Sequence, residues 1–378
     1  MEADPDIGGR RELTERIAFA HTHNICLRTA REFERRGIGP KDFFSTDAAT
    51  LCAISGCRPD VFNSARRSAD LARAAKEAEF IERRGIRAIY YTDPDYPRRL
   101  LECDDAPAML YCIGTPVQAA HAVAIVGTRH STPYGQSMVE RLISGLAEKI
   151  DDLVIVSGLA YGIDIAAHRA AMKAGIRTGA VLAHGLNTLY PPEHRGDAVA
   201  MTHTGGFLLT EYRSCDPTHR GNFLARNRIV AGMTDITIVV ESGAKGGAMT
   251  TARLAAAYQR EVMAVPGRVF DTYSCGCNEL IASSQARILR DVDDIIEACC
   301  WKVRPQEGVQ RSLGLEISDS QRTALHFLQD HPEATVNELA IALGQTIPRT
   351  TSLLFEMEMS DLIVSLPGGR YGVTAMLG

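Results

Sequence analysis

The chain has 378 residues, of which 45% are hydrophobic and 23% are charged, and its net charge is -5. This composition predicts about two to three globular domains and excludes a disordered, collagenous or coiled-coil protein. No apolar run approaches the roughly 18 residues of a membrane span, and the N-terminus lacks the apolar segment of a secretory signal. The cysteines form no CxxC pair, so we expect a cytoplasmic protein with reduced thiols.

Residues 1–112 are rich in arginine and alanine and have a mostly helical pattern, which predicts an N-terminal helical domain. The stretch from Leu51 to Cys57 is similar to the turn of helix-hairpin-helix modules. Turns of that kind can present backbone N–H groups to a DNA phosphate. A plain helical interaction module is the alternative for this segment.

Residues 113–300 alternate short, continuous apolar runs with amphipathic stretches, the pattern of buried parallel strands connected by helices. We therefore predict an α/β domain with a Rossmann-like, doubly wound, mostly parallel sheet. The predicted strands are Val123–Val126, Val154–Val156, Ala180–Ala183, Phe207–Thr210, Ile236–Val240 and Val262–Val265. Ligands of such sheets bind at the carboxyl ends of the strands, so the turns that follow the strands are the candidate sites.

Three of these turns are rich in glycine and are candidates for binding an anion. Glycine lets backbone N–H groups approach a ligand, and the N-terminus of the next helix favours negative charge. The candidate residues are Gly127 and Arg129 after the first strand, Ser157 and Gly158 after the second, and Lys245 and Gly247 after the fifth. No turn has the spacing of a dinucleotide or P-loop motif, and tight turns without a ligand are the alternative.

The segment before the fifth strand, His219–Arg228, places three arginines and a histidine around one aromatic residue, Phe223. Cations that hold phosphates and a ring that stacks on a base suit single-stranded nucleic acid. Phe223, Arg226, Asn227 and Arg228 are therefore further candidates. The alternative is a solvated basic loop with Phe223 in the core.

Other polar residues point to structural roles. We expect His168 and His184 to be structural histidines, and Asp164 to cap a helix or orient a turn. The sequence offers no paired carboxylates, no nucleophile with a histidine partner and no metal-binding cluster. We therefore predict no catalytic residue, no metal and no cofactor.

Residues 301–316 contain few large apolar side chains, which indicates a linker, and residues 317–378 have the pattern of a winged helix. Three helices, the last beginning near Pro348, precede a hairpin formed by Leu362–Leu366 and Arg370–Thr374. The last helix of such a fold often enters the major groove. Here it carries Arg349, but Glu356, Glu358 and Asp361 lie in or just after it, so duplex binding and a protein contact are both open.

Six motifs follow one another along the central region, between Gly127 and Gly267. They are GTR at Gly127–Arg129, SGLAYGID at Ser157–Asp164, VLAHGLNTLYPPEH at Val181–His194, GGFLLTEY at Gly205–Tyr212, FLARNRIVAG at Phe223–Gly232 and AVPG at Ala264–Gly267. Together they resemble the DprA/Smf family, the DNA-processing proteins of natural transformation. The resemblance covers residues 88–298 closely and the two flanking regions by architecture.

The resemblance implies an extended Rossmann-like domain that binds single-stranded DNA without sequence preference. It also implies a homodimer that protects incoming DNA and loads the RecA recombinase onto it, an N-terminal sterile-alpha-motif-like domain and a C-terminal winged helix. Carried onto this chain, Arg129 and the Ser157-Gly158 turn contact phosphates. Phe223 and the run Arg226-Asn227-Arg228 match the family's strand-binding loop.

Two other classes of function stay open at this point. The first is an enzyme, a nucleotide phosphoribohydrolase of the lysine-decarboxylase-like fold, which shares the sheet and has a PGGxGTxxE turn. The corresponding stretch here begins at Lys245, and Arg253 stands where that motif needs its glutamate. The second is a structural adaptor that acts through its flanking domains and binds no strand with residues 113–300.

Overall fold

The computed structural model describes residues 5–22, 25–116, 118–304, 318–360, 362–366 and 369–373. The chain forms two compact units, Met1–Arg304 and Pro305–Gly378. Most of the predicted linker, residues 305–316, lies outside the described residues, as do Asp361 and Thr374. No helix in the described ranges is both long and apolar enough to cross a membrane.

The helices of the first unit occupy both the N-terminal and the central region. They are α1 (Pro5–His21), α2 (Leu27–Arg35), α3 (Pro40–Phe43), α4 (Ala48–Ser55), α5 (Ser64–Arg84), α6 (Pro133–Lys149), α7 (Ile163–Lys173), α8 (Arg195–His203), α9 (Arg220–Gly232), α10 (Gly247–Ala257), α11 (Cys275–Ala282) and α12 (Val292–Ala298). Short 3-10 turns lie at Pro59–Phe62, Arg98–Glu102 and Pro192–His194.

Nine strands of the described chain form one sheet. They are β1 (Arg87–Tyr90), β2 (Met109–Gly114), β3 (His121–Val126), β4 (Leu153–Ser157), β5 (Arg177–Val181), β6 (Phe207–Thr210), β7 (Ile236–Val239), β8 (Glu261–Ala264) and β9 (Arg287–Ile288). Their order across the sheet is β1-β2-β6-β5-β4-β3-β7-β8-β9. The pairs from β6 to β9 are parallel, whereas β1 pairs with β2, and β2 with β6, in antiparallel orientation.

The prediction of a mostly parallel sheet is confirmed, and a strand overlaps each of the six predicted apolar runs, although β5, β7 and β8 end one or two residues before the predicted ends. The sheet also extends further toward the N-terminus than predicted. Strand β2 crosses the expected boundary at residue 112 and hydrogen-bonds to β6. The separation of an N-terminal domain from the central domain therefore stays a prediction, since both regions belong to one compact unit.

The sheet is buried on both faces, which explains why its strands are continuously apolar. In β3, Val123 and Ile125 belong to one hydrophobic cluster, while Ala124 and Val126 belong to another. This alternation follows from the two-residue period of a strand. The second of these clusters also contains the buried rings of the N-terminal helices, so these helices and the sheet share a hydrophobic core.

The second unit is a small helical domain with its own sheet and core. Its elements are α13 (Asp319–Asp330), β10 (Ala334–Thr335), α14 (Val336–Leu343), α15 (Ile347–Met359), β11 (Ile363–Leu366) and β12 (Arg370–Val373). The described strands have the order β10-β12-β11, and Leu328, Leu339 and Leu354 lie in the core. These elements lie where the sequence places three helices and a hairpin; the winged-helix assignment itself stays a prediction.

Candidate nucleic-acid interface

Backbone hydrogen bonds join the turns at the carboxyl ends of β3, β4 and β7. The N–H of Thr128 donates to the carbonyl of Glu241 at 2.6 Å, and the N–H of Ile163 donates to the carbonyl of Thr128 at 3.1 Å. The GTR turn is thereby fixed between its neighbours. Adding a Cβ at Gly127 would bring it to 2.5 Å from the side chain of Ile163, so only glycine fits this close approach.

A cavity of about 520 Å³ opens at this edge, between the turns after β3 and β7 and the first half of α9. We call it the central cavity. It brings together seven of the ten predicted site residues, namely Gly127, Arg129, Phe223, Arg226, Asn227, Lys245 and Gly247. These residues come from three separate parts of the chain, so the fold assembles most of the site that the sequence predicts.

Arg129 and Lys245 supply the exposed positive charge of the central cavity. Neither side chain forms an ion pair with any described residue, so both charges are available to an anion. The guanidinium carbon of Arg129 lies 5.5 Å from the centroid of the Phe223 ring. A cation within about 6 Å of a ring face is attracted by the quadrupole of the ring, which holds the two side chains together.

Phe223 is half-buried and belongs to none of the hydrophobic core clusters of the described residues. Its ring packs edge-to-face against Tyr190, with the centroids 5.7 Å apart. It separates the central cavity from a second one of about 880 Å³, the lateral cavity, which Arg129, Tyr190 and Arg220 also line. The ring therefore stands between two openings and not in the core.

Arg220 is a functional candidate that the sequence-based site list omits. It is exposed, has no ion-pair partner in the described chain, and lines the lateral cavity beside Phe223. Arg220 and Phe223 are three residues apart on α9 and therefore lie on the same side of the helix. This three-residue spacing could have identified Arg220 as a site residue if the segment had been predicted to be a helix.

The predicted strand-binding loop is in fact helix α9, and this separates the two arginines that the sequence places together. Residues two positions apart on a helix point about 200° from each other. Arg226 is only 5% exposed and donates to the carbonyl of Gly158 at 2.7 Å and to that of Val181. Burial lowers the pKa of Arg226, while Asp164 opposes this change.

Arg228 points to a different part of the molecule. It forms an ion pair with Glu211 at a third cavity, of about 610 Å³, which His21 and Cys26 also line. Burial alone would lower the pKa of Arg228, but Glu211 and Asp105, together with smaller contributions from neighbouring tyrosines, outweigh burial, and the pKa is raised. The structure therefore does not bring Arg228 to the predicted site, because its charge is already used within the fold.

The polar groups of the Ser157-Gly158 turn likewise form hydrogen bonds within the fold. The Ser157 hydroxyl donates to the carbonyl of Ile125 at 2.6 Å, and the N–H of Gly158 donates to the carboxylate of Asp164 at 3.1 Å. The same carboxylate accepts the N–H of Ala160 at 3.4 Å, so Asp164 orients this turn as predicted. Burial raises the pKa of Asp164, and the nearby Arg226 opposes this effect. The turn supports the site without offering free groups to a phosphate.

The two central histidines are structural. Nδ1 of the buried His168 lies 2.7 Å from the hydroxyl of Thr178. Nδ1 of His184 lies 2.9 Å from the carbonyl oxygen of Gly185, and its Nε2 accepts the N–H of Tyr190 at 3.1 Å. His184 therefore helps to position Tyr190, the ring that packs against Phe223.

Comparison with known proteins finds a matching family model and similar proteins. The family model described as DNA recombination-mediator protein A matches residues 87–300. The chain is 38% identical over 230 residues to "DNA processing protein DprA" of Bacillus subtilis, covering 60% of this chain and 74% of the relative.

Two solved structures are similar to more than half of this chain. DNA processing protein A from Streptococcus pneumoniae superposes with a TM-score of 0.61 at 30% identity, over 79% of this chain and 98% of that one. The Helicobacter pylori protein, whose structure is described as showing a single-stranded DNA binding mode, superposes with a TM-score of 0.50 at 30% identity, over 57% of this chain and 95% of that one. The chain therefore belongs to the DNA recombination-mediator protein A family of DNA-processing proteins.

Proposed function

We propose that the carboxyl edge of the sheet binds single-stranded DNA without sequence preference. The observation that carries this proposal is the contact between Arg129 and the half-buried ring of Phe223, with an open cavity on each side. A cation for the phosphate and a ring for the base, held side by side, are the two elements of a strand-binding surface. The Helicobacter pylori relative, for which strand binding is described, supports the same assignment.

The preference for a single strand follows from the kind of contact that the site offers. Stacking on Phe223 needs a base whose face is free, and the bases of an intact duplex are already stacked. No strong preference for sequence is expected, since every base has a face that can stack. Lys245 and Arg220 add charge on opposite sides of the ring, so the backbone of one strand can run past it.

Fluorescence anisotropy with a labelled oligothymidylate and a blunt duplex tests this proposal. We expect much tighter binding of the single strand, and a logarithmic salt slope of about -2 to -3 for three phosphate contacts at about 0.7 each. The contacts are those of Arg129, Arg220 and Lys245. Arg141→Ala removes an exposed arginine from α6, outside these cavities, and serves as the matched control. Equal affinity for the duplex would overturn the proposal.

We further infer that the protein is not an enzyme, acts in the cytoplasm as a homodimer, and loads the RecA recombinase onto incoming single-stranded DNA during natural transformation. The family membership and the proposed strand site support this role. Light scattering tests the homodimer, and a pull-down with purified RecA tests the partner. A monomeric protein that binds the strand but not RecA would overturn the proposed dimer and RecA loading, and would leave the strand site in place.

The rival function is hydrolysis of a nucleoside monophosphate in the central cavity. Arg253, which stands where the hydrolase motif needs a carboxylate, is an exposed side chain of α10 and cannot replace it as an acid or base. We expect no release of base when nucleoside monophosphates are incubated with the protein. Release above the rate of a blank reaction would favour the enzyme.

A further inference from the structure

A third opening at the same edge of the sheet continues the central cavity. It has a volume of about 850 Å³, and we call it the distal cavity. It lies between the start of α6 and the loop that connects β8 to α11, residues 265–274. Tyr134, Arg268, Asp271 and Tyr273 are among the residues that line it. Tyr273 lines the central cavity as well, so the two openings share a wall.

Several aromatic side chains lie along this edge of the sheet. Arg129 contacts Phe223, and the next residue, His130, has its ring centroid 6.1 Å from that of Tyr273. Beyond Tyr273 the distal cavity offers the half-exposed ring of Tyr134, whose hydroxyl donates to the carbonyl of Pro266 at 2.8 Å. That hydrogen bond fixes the ring, which lowers the entropy cost of stacking a base on it.

The loop itself presents an aromatic residue and a cation to solvent. Phe270 is 98% exposed and Val269 is 75% exposed, while Arg268 is exposed and makes no ion pair with a described residue. Single exposed apolar residues are common on protein surfaces. Here, however, Phe270 lies in sequence between two residues that line the cavity, Arg268 and Asp271, so it is adjacent to the opening.

Hydrogen bonds tie this loop to the turn that carries Lys245. The N–H of Ser242 donates to the carbonyl of Tyr273 at 2.6 Å, and the N–H of Gly276 donates to the carbonyl of Ser242 at 2.9 Å. Neighbouring strands of a sheet lie about 4.8 Å apart, so the end of β8 is about 10 Å from the end of β3, with β7 between them. The distal cavity is thus within reach of the strand that the central cavity would hold.

We propose that Arg268, Phe270 and Tyr273, with the ring of Tyr134, extend the single-strand site across the sheet edge beyond Lys245. This inference rests on the strand-binding function proposed above and adds the next segment of the strand's path. Arg268 contacts a phosphate, and the rings of Phe270 and Tyr273 stack on bases. The occupant is a polyanion and not a protein segment, because Arg268 extends a series of cations that form no ion pair with a described residue, namely Arg220, Arg129 and Lys245.

The acidic residues of the distal cavity limit where a phosphate can lie. The buried carboxylate of Glu241 accepts the N–H and the hydroxyl of Thr132, at 2.9 and 2.5 Å, so its charge is engaged. Asp271 is exposed, and its side chain makes no hydrogen bond or ion pair with a described residue. Phosphates must therefore pass on the side of Arg268, and removing the charge of Asp271 should strengthen binding.

The test measures affinity against strand length. Oligothymidylates of about 4 to about 16 nucleotides, the range of site sizes in strand-binding domains, are titrated by anisotropy. Phe270→Ala should weaken the longer strands roughly ten-fold, the effect of losing one base stack, and leave the shortest unchanged. Val269→Ala, at the neighbouring exposed aliphatic residue, is the matched control and should bind every length normally.

Charge variants and crosslinking test the same path independently. Arg268→Ala should make the salt slope for long strands shallower by about 0.7, whereas Asp271→Asn should tighten binding. A long strand that carries 5-iodouracil should crosslink to Phe270 or Tyr273 on irradiation.

The inference is overturned if Phe270→Ala binds all lengths like the wild type, or weakens all of them equally. It is also overturned if this variant loses only the interaction with the recombinase. A wild-type protein that binds no single strand would overturn the proposed function itself, and the extended path with it. If the wild type binds and Phe270→Ala has no effect, the extended path alone is wrong.

Discussion

The guanidinium of Arg129 lies against the ring of Phe223, at 5.5 Å from its centroid, although the two residues belong to a turn after β3 and to helix α9. The contact joins the group expected to bind phosphate to the group expected to stack on a base. Each side chain limits the rotamers of the other, so the free protein already holds them in place. We therefore expect their contributions to binding to be coupled.

The first prediction separates the two roles. Arg129→Ala should lower the affinity for single-stranded DNA and make the salt slope shallower by about 0.7, because a phosphate contact is lost. Phe223→Ala should lower the affinity by about 1–3 kcal/mol and leave the slope nearly unchanged. The loss of binding free energy in the double variant should differ from the sum of the two single losses by about 0.5 kcal/mol or more. Anisotropy titrations at several salt concentrations measure all three quantities.

Melting of the same variants provides the control. Truncating a core phenylalanine costs about 3–5 kcal/mol of stability, whereas the half-buried Phe223 should cost much less. Leu224→Ala is the matched variant, since Leu224 is 53% exposed, lines both cavities and cannot stack. If Phe223→Ala melts early and binds normally once folded, the stacking role is wrong.

The second prediction concerns Arg228, which the sequence assigns to the strand and the structure pairs with Glu211. Arg228→Ala leaves a largely buried carboxylate without its partner, so the free energy of unfolding should fall by about 3–5 kcal/mol. The salt slope of strand binding should stay unchanged, because Arg228 lies outside the central cavity. Urea unfolding and anisotropy measure the two effects.

A second substitution distinguishes the ion pair from other effects of Arg228→Ala. When Glu211→Gln is added, the uncompensated charge disappears and part of the lost stability should return. A shallower salt slope with normal stability would instead place Arg228 in contact with the strand.

The strands of the sheet could be predicted because burial on both faces makes parallel strands continuously apolar. The same reasoning missed β1 and β2, although Met109–Gly114 is an apolar run. Strand β1 pairs with β2, and β2 with β6, in antiparallel orientation. In the sequence they follow the N-terminal helices, and no α-helix lies between β1 and β2 or between β2 and β3. Alternation of strands and helices, on which the prediction rests, gives no signal for such an extension.

The residue types of the site could be predicted from the composition of the turns, but the directions in which the arginine side chains point could not. Glycine-rich turns and a basic segment with one phenylalanine identified most of the central cavity, because residues at strand ends meet at one edge of the sheet. What composition does not contain is the face on which each arginine lies. Only the helical period of α9 separates Arg226 from Arg228 and brings Arg220 to Phe223.

The third prediction treats Arg226 as a positioning residue. Its guanidinium donates to the carbonyls of Gly158 and Val181, and so holds the ends of β4 and β5 against α9. Arg226→Ala should lower the melting temperature and weaken strand binding in proportion, with an unchanged salt slope. Gly158→Ala should act similarly, since its Cβ would overlap the guanidinium of Arg226. A shallower slope at an unchanged melting temperature would show that Arg226 contacts phosphate directly.

The last prediction follows from the tautomer of His168. The hydroxyl of Thr178 donates to the carbonyl of Ile155 at 2.8 Å, so it can only accept from Nδ1 of His168, which must carry the proton. Nε2 is buried and has no partner in the part of the chain that the structure describes. A second proton on the ring would therefore be a buried donor without an acceptor. Burial accordingly lowers the pKa of His168 from 6.5 to about 3.

Between these two pKa values the unfolded chain binds a proton that the folded protein does not, so stability must fall as the pH falls. Acidification from about pH 7 to about pH 5 should cost the wild type about 2 kcal/mol through this residue alone. His168→Asn keeps a donor for Thr178 but cannot titrate. Its free energy of unfolding should therefore fall by about 2 kcal/mol less than that of the wild type over this pH range. Urea unfolding across this pH range measures the difference. His203→Asn, at an exposed histidine of α8, is the matched control. Equal pH dependence of His168→Asn and the wild type would mean that folding does not lower the pKa of His168.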